Sequence, residues 1–372
     1  MRGRNSTSAL LEHVLLESLL DRPPLTRAEI MTATGLSRPV VTGIMDEMMA
    51  RGEILAAPPA DAARGRGRPS ARYRLATAAN PVVLVELHRS GEAAVTLVND
   101  EGALAAGPVE VGLGAGWPAW ARSVGQRQRQ LVEELGAPVA RLIVLSLPLP
   151  VSALARARDL ARGWPGPVSP RELAGWFGPS LALANDANLA ALGEARFGAG
   201  QGERGVLHLS VLDGIGAGLV FGGHLVEGAS GYAGELAHTS VRDGGRCPCG
   251  NVGCLAVAGR ELLASWPEPF DSIVAAVAAA AAGRPGAAAL LAALGRLTAT
   301  PLATALTVLD PDVLVLDARL AAAAEPFLAG LRAVLARRCP PRLVDSLPIR
   351  LGSRRDAGLW GALALANDRL IQ

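Results

Sequence analysis

The sequence predicts an α/β fold in two lobes, preceded by a separate and mainly helical N-terminal unit. Three observations carry that expectation. Apolar residues fall at helical spacing in the N-terminal stretch up to Ala76; from Asn80 onward short β-branched and apolar runs alternate with longer helical ones; and Gly-rich turns join the strands in the way of loops that face a cleft. With 372 residues and 50% apolar content, the chain has enough material for more than one hydrophobic core.

Charge is sparse and balanced. The 36 basic and 34 acidic side chains leave a net charge of +2, so any surface for nucleic acid has to be local. Every basic residue is Arg, which together with 43 Gly reads as coding bias. The N-terminal stretch is interrupted by Glu12, His13 and Glu17 and has no cleavage-site pattern, so a cytoplasmic chain is expected. The Ala-rich run Ile273 to Ala282 is too short for a membrane span and is broken by Gly283-Arg284-Pro285.

In the first unit, LLEHVLLESLL has helical spacing, and Thr26 with Glu29 forms a capping-box signature for a short helix that ends at Gly35. Ser37 is placed to cap a second helix, roughly Arg38 to Arg51, stopped by Gly52. Two such helices joined by a short turn form a helix-turn-helix, although any small helical hairpin has the same pattern. The segment between the strand-like pieces Glu53 to Ala57 and Arg72 to Ala76 is more specific. There Arg64, Arg66 and Arg68 alternate with Gly65 and Gly67 ahead of Pro69, a composition that cannot pack a core but can lay extended backbone and guanidinium groups into a DNA groove. It reads as the tip of a wing, with a solvated charged linker as the bland alternative. Ser37, Arg38, Pro39, Val41 and Thr42, at the start of the second helix, are the expected base-reading positions.

Beyond Asn80, VVLVELHRSGEAAVTLVND predicts a hairpin turning near Ser90-Gly91. A helix over Arg122 to Leu135 and a strand in RLIVLSLPLP follow. LALANDANLAALGEARFG is a strand feeding a helix over Ala187 to Ala195, with Asn185-Asp186 as a candidate cap. GVLHLSVLDGIGAGLVFGGHLVEG is a second hairpin, with Gly214, Gly216 and Gly218 at its bend. LDPDVLVLDARL and SLPIRLGSRRDAGLWGALALAND close the chain as strand and helix units.

The stretch HTSVRDGGRCPCGNVGC holds three of the four cysteines. In a cytoplasmic chain disulfides are disfavoured, and the Cys-x-x-Cys of a redox pair is absent. His238, Cys247, Cys249 and Cys254 offer one imidazole and three thiolates, a complete tetrahedral shell for a structural Zn2+ with no open position. Ordinary buried thiols are the alternative. Cys339 reads as incidental.

NDANLAALGEARFG, DGIGAGLV, GASGYAGELAHTSV and CPCGNVGC, in this order behind a helix-turn-helix and the RGRGRP wing, resemble the ROK family of bacterial repressors and sugar kinases, and specifically its repressor branch. The resemblance covers essentially the whole chain. It implies an actin-like ATPase fold (lobe one about 79–185 plus a C-terminal helix about 355–372, lobe two about 186–354 with the zinc loop) behind a winged helix-turn-helix domain at 1–78. It further implies a transcriptional regulator that binds a double-stranded DNA operator as a homodimer or homotetramer and senses a sugar or related small polar effector. Asn185, Asp186, Glu235 and His238 would bond the effector's hydroxyls, with Asp186 at the position of a kinase's general base.

The departures from the family pattern point away from phosphoryl transfer. The phosphate-cradling Asp-x-Gly-Gly-Thr turn is replaced by Glu86-Leu87-His88-Arg89-Ser90-Gly91, a Gly-Gly near the nucleotide is replaced by Asp317-Ala318, and Asp213 stands where Thr is usual. On the sugar side, a Glu that usually follows the last Cys by two residues is Ala256, the Gly of the Glu-x-Gly-His pattern is Ala237, and the Pro-Gly loop is Pro148-Leu149-Pro150. A non-enzymatic regulator is therefore expected, with two alternatives: a sugar kinase carrying an added DNA-binding domain, and a regulator that has lost its sugar site.

Overall fold

The computed structural model describes residues 6–19, 24–50, 53–57, 70–75, 81–99, 102–136, 140–156, 166–211 and 214–371. The wing residues Arg64, Arg66 and Arg68, the helix stop Gly52 and Asp213 lie outside the described residues.

The N-terminal unit is built from α1 (Ser6–Leu19), β1 (Leu25–Thr26), α2 (Arg27–Thr34), α3 (Arg38–Ala50), β2 (Ile54–Ala57) and β3 (Arg72–Leu75), with the strands in the antiparallel order β1-β3-β2. The capping box is present: Glu29 N–H donates to Thr26 Oγ1 and Thr26 N–H to the Glu29 carboxylate. Leu15, Ile30, Ile44, Met45, Met48, Ile54 and Tyr73 form its core, and Val41 lies among them, fully buried at 0%. The expectation that Val41 reads DNA is therefore corrected. One helical turn separates it from Ile44 and Met45, which puts all three on the inner stripe. Ser37, Arg38 and Pro39 are exposed and Thr42 is half-buried.

The rest of the chain repeats one plan twice. In the first sheet β4 (Val82–Leu87), β5 (Ala93–Asn99), β6 (Gly102–Pro108), β7 (Leu142–Leu147) and β8 (Leu181–Asn185) lie in the order β6-β5-β4-β7-β8. In the second, β9 (Gly205–Ser210), β10 (Gly216–Phe221), β11 (His224–Leu225), β12 (Val313–Leu316) and β13 (Ile349–Leu351) lie as β11-β10-β9-β12-β13. Each has three antiparallel strands followed by two parallel ones. β7 is buried along its whole length, which is why it reads as the unbroken run LIVLSL.

Helices cover both faces. α4 (Trp117–Leu135) packs Trp117, Trp120 and Val124 onto the first sheet. It begins five residues before the expected Arg122, with Pro118 in its first turn, a start signal that the apolar pattern alone passed over. α5 (Pro170–Phe177) follows. The second lobe is filled by α7 (Leu255–Ser265), α8 (Ile273–Ala281), α9 (Pro285–Leu309), α10 (Ala324–Arg338) and α11 (Pro341–Ser346). Among the described residues α9 alone is long and apolar enough to cross a membrane, and 56% of its most apolar window is buried, with Leu290, Leu294, Leu302 and Leu306 in the lobe's core.

Two helices join the lobes. α6 (Asp186–Phe197) follows the first sheet's last strand but packs Ala191, Leu192 and Ala195 against β9, β10 and β12 of the second. α12 (Ala357–Ile371) follows the second sheet's last strand and returns Leu359, Trp360 and Leu363 to the first. They cross at glycines: a Cβ on Gly193 would stand 2.0 Å from Ala357 O, and one on Gly361 1.8 Å from Leu189 O. No side chain fits there.

Candidate functional site

The C-terminal end of β8 and the start of α6 place Asn185 and Asp186 together. Asn185 Oδ1 accepts from Asn188 N–H at 3.0 Å and so caps α6, which leaves its amide N–H groups as the part that can donate to a ligand. Asp186 is exposed and Oδ1 accepts from Ala187 N–H at 2.7 Å. Across from them a short turn, Leu236–His238, carries Glu235 at its entrance and His238 at its end.

His238 faces two ways. Its Nδ1 lies 3.5 Å from Cys247 Sγ and its Nε2 lies 3.9 Å from Glu235 Oε2. Such a ring can give one nitrogen to a cation while the other is oriented by a carboxylate. Burial, and the positive charges of Arg89 and Arg260, push the imidazole pKa below its ordinary value, favouring the neutral form that ligates metals. Burial pushes the Glu235 carboxyl up to about 7, the Asp186 charge adds to this, and Arg89 opposes it. Asp186, Glu235, His238 and Arg89 thus share one electrostatic neighbourhood. Arg89 and Arg260 are the members that sequence reasoning missed, Arg89 because it lies far in the chain from the others and Arg260 because no local motif marks it.

The donor atoms of His238, Cys247, Cys249 and Cys254 all lie within 4.8 Å of one another. Burial first, and the neighbouring thiols after it, push Cys254 up to about 12; burial raises Cys247 as well. Thiols so placed lose their protons to a cation and otherwise keep them, so donor set and electrostatics fit a soft or borderline divalent ion. Cys254 also sits at the N-cap of α7, where unpaired backbone N–H groups favour a thiolate. The loop holds its shape through backbone bonds from Cys247 N–H to Asn251 O at 2.8 Å and from Gly253 N–H to Gly245 O at 3.0 Å. Gly253 has φ +68°, and a Cβ there would meet Arg242 O at 1.6 Å, so glycine is obligatory. Cys339 stands apart, buried, with its Sγ 3.6 Å from Ala303 O.

Directly after β12, Asp317 is turned inward and buried. Arg319 donates from Nε at 3.0 Å and from a terminal nitrogen at 2.8 Å, and Ser210 Oγ–H donates at 3.0 Å. Burial raises its pKa, but the bonds and charge of Arg319 outweigh that and hold it below the ordinary carboxylate value. The expectation of a carboxylate facing an incoming nucleotide therefore changes to a carboxylate consumed by its own neighbour two residues on. Ala256 and Ala237, where hydroxyl-binding and glycine positions were expected, are half-buried and buried against the second lobe's core.

The family profile described as the ROK family matches residues 171–369, more than half of the chain. The chain is 38% identical over 79 residues to the xylose repressor of Bacillus spizizenii (strain ATCC 23059 / NRRL B-14472 / W23), covering 21% of each. It is 30% identical over 220 residues to the glucokinase of Thermotoga maritima (strain ATCC 43589 / DSM 3109 / JCM 10099 / NBRC 100826 / MSB8), covering 54% of this chain and 69% of the enzyme. The matched stretches span only 19% to 69% of the lengths of such curated relatives. The crystal structure of a ROK family transcriptional regulator, a homologue of the E. coli MLC protein, superposes with a TM-score of 0.77 at 20% identity, covering 99% of this chain and 97% of that one.

Proposed function

Because the chain belongs to the ROK family, we propose that it is a DNA-binding transcriptional regulator, acting as a repressor, whose two-lobed part senses a sugar or related small polar effector. The observation that carries this reading is the N-terminal unit, in which the exposed Ser37, Arg38 and Pro39 open α3 ahead of the sugar-kinase-like lobes. Residues 1–78 form the DNA-binding domain and 79–372 the sensing domain, in a cytoplasmic homodimer or homotetramer. On DNA, Arg38 and Thr42 approach bases from α3 while Arg64, Arg66 and Arg68 follow the phosphates and groove floor.

In the cleft, the amide of Asn185 and the carboxylates of Asp186 and Glu235 converge from two lobes on a polyhydroxylated ligand, and His238 closes the set. A ligand that touches both lobes binds one relative arrangement of them better than another, and that differential affinity is what shifts the DNA-bound population. His238, Cys247, Cys249 and Cys254 would hold one Zn2+, which when bound supplies a fixed cross-link of the loop that presents His238 and Glu235. Asp186 occupies a general-base position but has no phosphoryl donor to serve, since the Leu87-His88-Arg89 turn stands where phosphates would need open backbone and Asp317-Ala318 replaces the Gly-Gly near the nucleotide.

Likeness to a glucokinase favours one second reading, a sugar kinase with an added DNA-binding domain. Footprinting the full chain on promoters of its own and adjacent genes, beside a coupled ATP-consumption assay with hexoses, separates the two. Protection of a near-palindrome with no ATP turnover is expected. Replacing Arg64, Arg66 and Arg68 together by Ala weakens binding to all sequences and flattens its salt dependence. Hexose-dependent ATP turnover without promoter protection would replace the regulator with the kinase.

A further inference from the structure

The two lobes also touch away from the helix crossing, on segments that run straight into the candidate effector residues. On the first lobe β7 ends at Leu147, paired with Asn185 of β8, and the chain continues through the buried Pro148, Leu149 and Pro150 into a short 3-10 turn, Val151–Arg156. On the second lobe the loop after β11 leads through Ser230 to Glu235. Ser152 Oγ–H donates to Ser230 O at 2.6 Å, and its oxygen lies 3.4 Å from where a Cβ on Gly231 would stand. Each partner is thus five residues along the chain from the cleft, Ser152 from Leu147 and Ser230 from Glu235.

The loop that carries Ser230 is tied at its neck. Val226 N–H donates to Leu219 O at 2.8 Å and Ala233 N–H to Glu227 O at 3.1 Å, whereas Ala229, Ser230 and Tyr232 between them are exposed. Gly234 has φ +82°, and a Cβ there would meet Ala217 O at 2.6 Å, so the base of the loop lies directly on β10. β10 in turn meets the start of α6, since a Cβ on Gly218 would stand 2.7 Å from Ala187 O. Backbone packing therefore fixes Glu235 and Asp186 about one strand, while the tip of the loop reaches the other lobe.

The two junctions differ in kind. At the crossing of α6 and α12, backbone meets backbone with no room for a Cβ, which makes a fixed pivot. At Ser152 one rotatable hydroxyl joins two exposed segments, and water can replace either partner. The net worth of such a bond changes an equilibrium by about two- to ten-fold, the strength of a contact that is made and broken rather than of a permanent joint.

We propose that Ser152 is a latch residue: by donating to Ser230 O it holds the Glu235 loop of the second lobe against the first and sets how far the cleft stands open at rest. The proposal deepens the effector-sensing reading, because it assigns control of access to that same cleft.

Hydrogen exchange of the full chain without ligand, read by mass spectrometry, tests it on the parent, Ser152→Ala and Ser152→Thr. Ser152 is exposed, so both variants should melt with the parent. In Ser152→Ala the amides of 147–156 and of 227–235 should exchange about two- to ten-fold faster together, because one opening uncovers both banks, while α9 and α10 keep their rates. Ser152→Thr retains a donor hydroxyl and should stay near the parent. Unchanged exchange in both segments would overturn the proposal, as would acceleration confined to 227–235, which would make the bond a local brace of its own loop. Equal acceleration in α9 and α10, or a Thr variant as fast as the Ala variant, would reduce Ser152 to a general contribution to stability and overturn it as well. No sugar enters the measurement, so failure of the latch leaves the sensing reading intact, and failure of that reading leaves the latch intact.

Discussion

His238 is the residue on which the two proposed roles meet, since one ring nitrogen faces the thiols and the other faces Glu235. Removing a single ligand therefore disturbs both. For Cys249→Ala we expect zinc content to fall from about one equivalent per chain, the melting temperature of the two-lobed part to drop by about 5 °C or more, and effector affinity to weaken. Elemental analysis and calorimetry check this; a parent chain free of zinc and a variant of equal stability would return the cluster to buried thiols. A second residue-scale expectation concerns acid. His208 on β9 is buried, Nδ1 has no partner among the described residues, and burial holds its pKa below 6.5 against the pull of Asp317 and Glu194, with Arg319 acting alongside burial. Its folded pKa is depressed, so the unfolded chain takes up the proton first and stability falls as pH drops below about 6.5. Asp317, also depressed, adds a loss of the same sign at lower pH. Glu235, raised to about 7, has the opposite sign. Comparing melting temperature against pH for the parent and His208→Leu cancels the other groups: the parent should lose more between pH 7 and 5, and parallel curves would exclude His208.

Among the elements, the crossing of α6 and α12 holds the two lobes in one body. Glu194, fully buried on α6, accepts from Ala199 N–H at 2.7 Å and from Arg354 N–H at 2.8 Å, which ties the approach to α12 onto α6. Arg354 in turn stacks 4.4 Å above the Trp360 ring. Because a Cβ at position 361 would press on Leu189 O, Gly361→Ala must push the helices apart, at a cost of about 1–3 kcal/mol, read as a lowered melting temperature. Gly175 on α5 has no atom within 4 Å of its would-be Cβ, so Gly175→Ala is the control and should be neutral or slightly stabilising. Equal behaviour of the two variants would mean that the crossing tolerates a wider spacing. α9 and α10 repeat the device at Gly295 and Gly330, whose Cβ atoms would approach Phe327 O at 2.1 Å and Ala292 O at 2.0 Å.

At the scale of the whole molecule, the proposed regulator would cover only a short half-site with one N-terminal unit, and the net charge of +2 gives no general attraction to DNA. On that reading tight operator binding requires pairing of copies so that two units sit a helical turn apart or a multiple of it. We expect light scattering at micromolar concentration to give at least a dimer and footprints to span two half-sites; a monomer with a one-unit footprint would exclude this arrangement.

The sequence by itself determined whatever depends on neighbours in the chain. The Thr26–Glu29 capping box, the hairpin at Ser90-Gly91, the Asn185 cap and the four donors between His238 and Cys254 were all legible, because their partners lie within a few residues and short spacings leave few geometries. Only the tertiary structure decided which way a face turns and what meets across the lobes. Val41 belongs to the core because α1 and the β-sheet cover that side of α3. Asp317 is turned away from solvent because Arg319 and Ser210, the latter on another strand, hold it. Arg89, more than a hundred residues from Glu235, enters its field because the β4–β5 turn reaches the turn before β10 at Gly214. Contacts of that kind are fixed by long-range packing of two sheets and two crossing helices, and no local spacing in the chain encodes them.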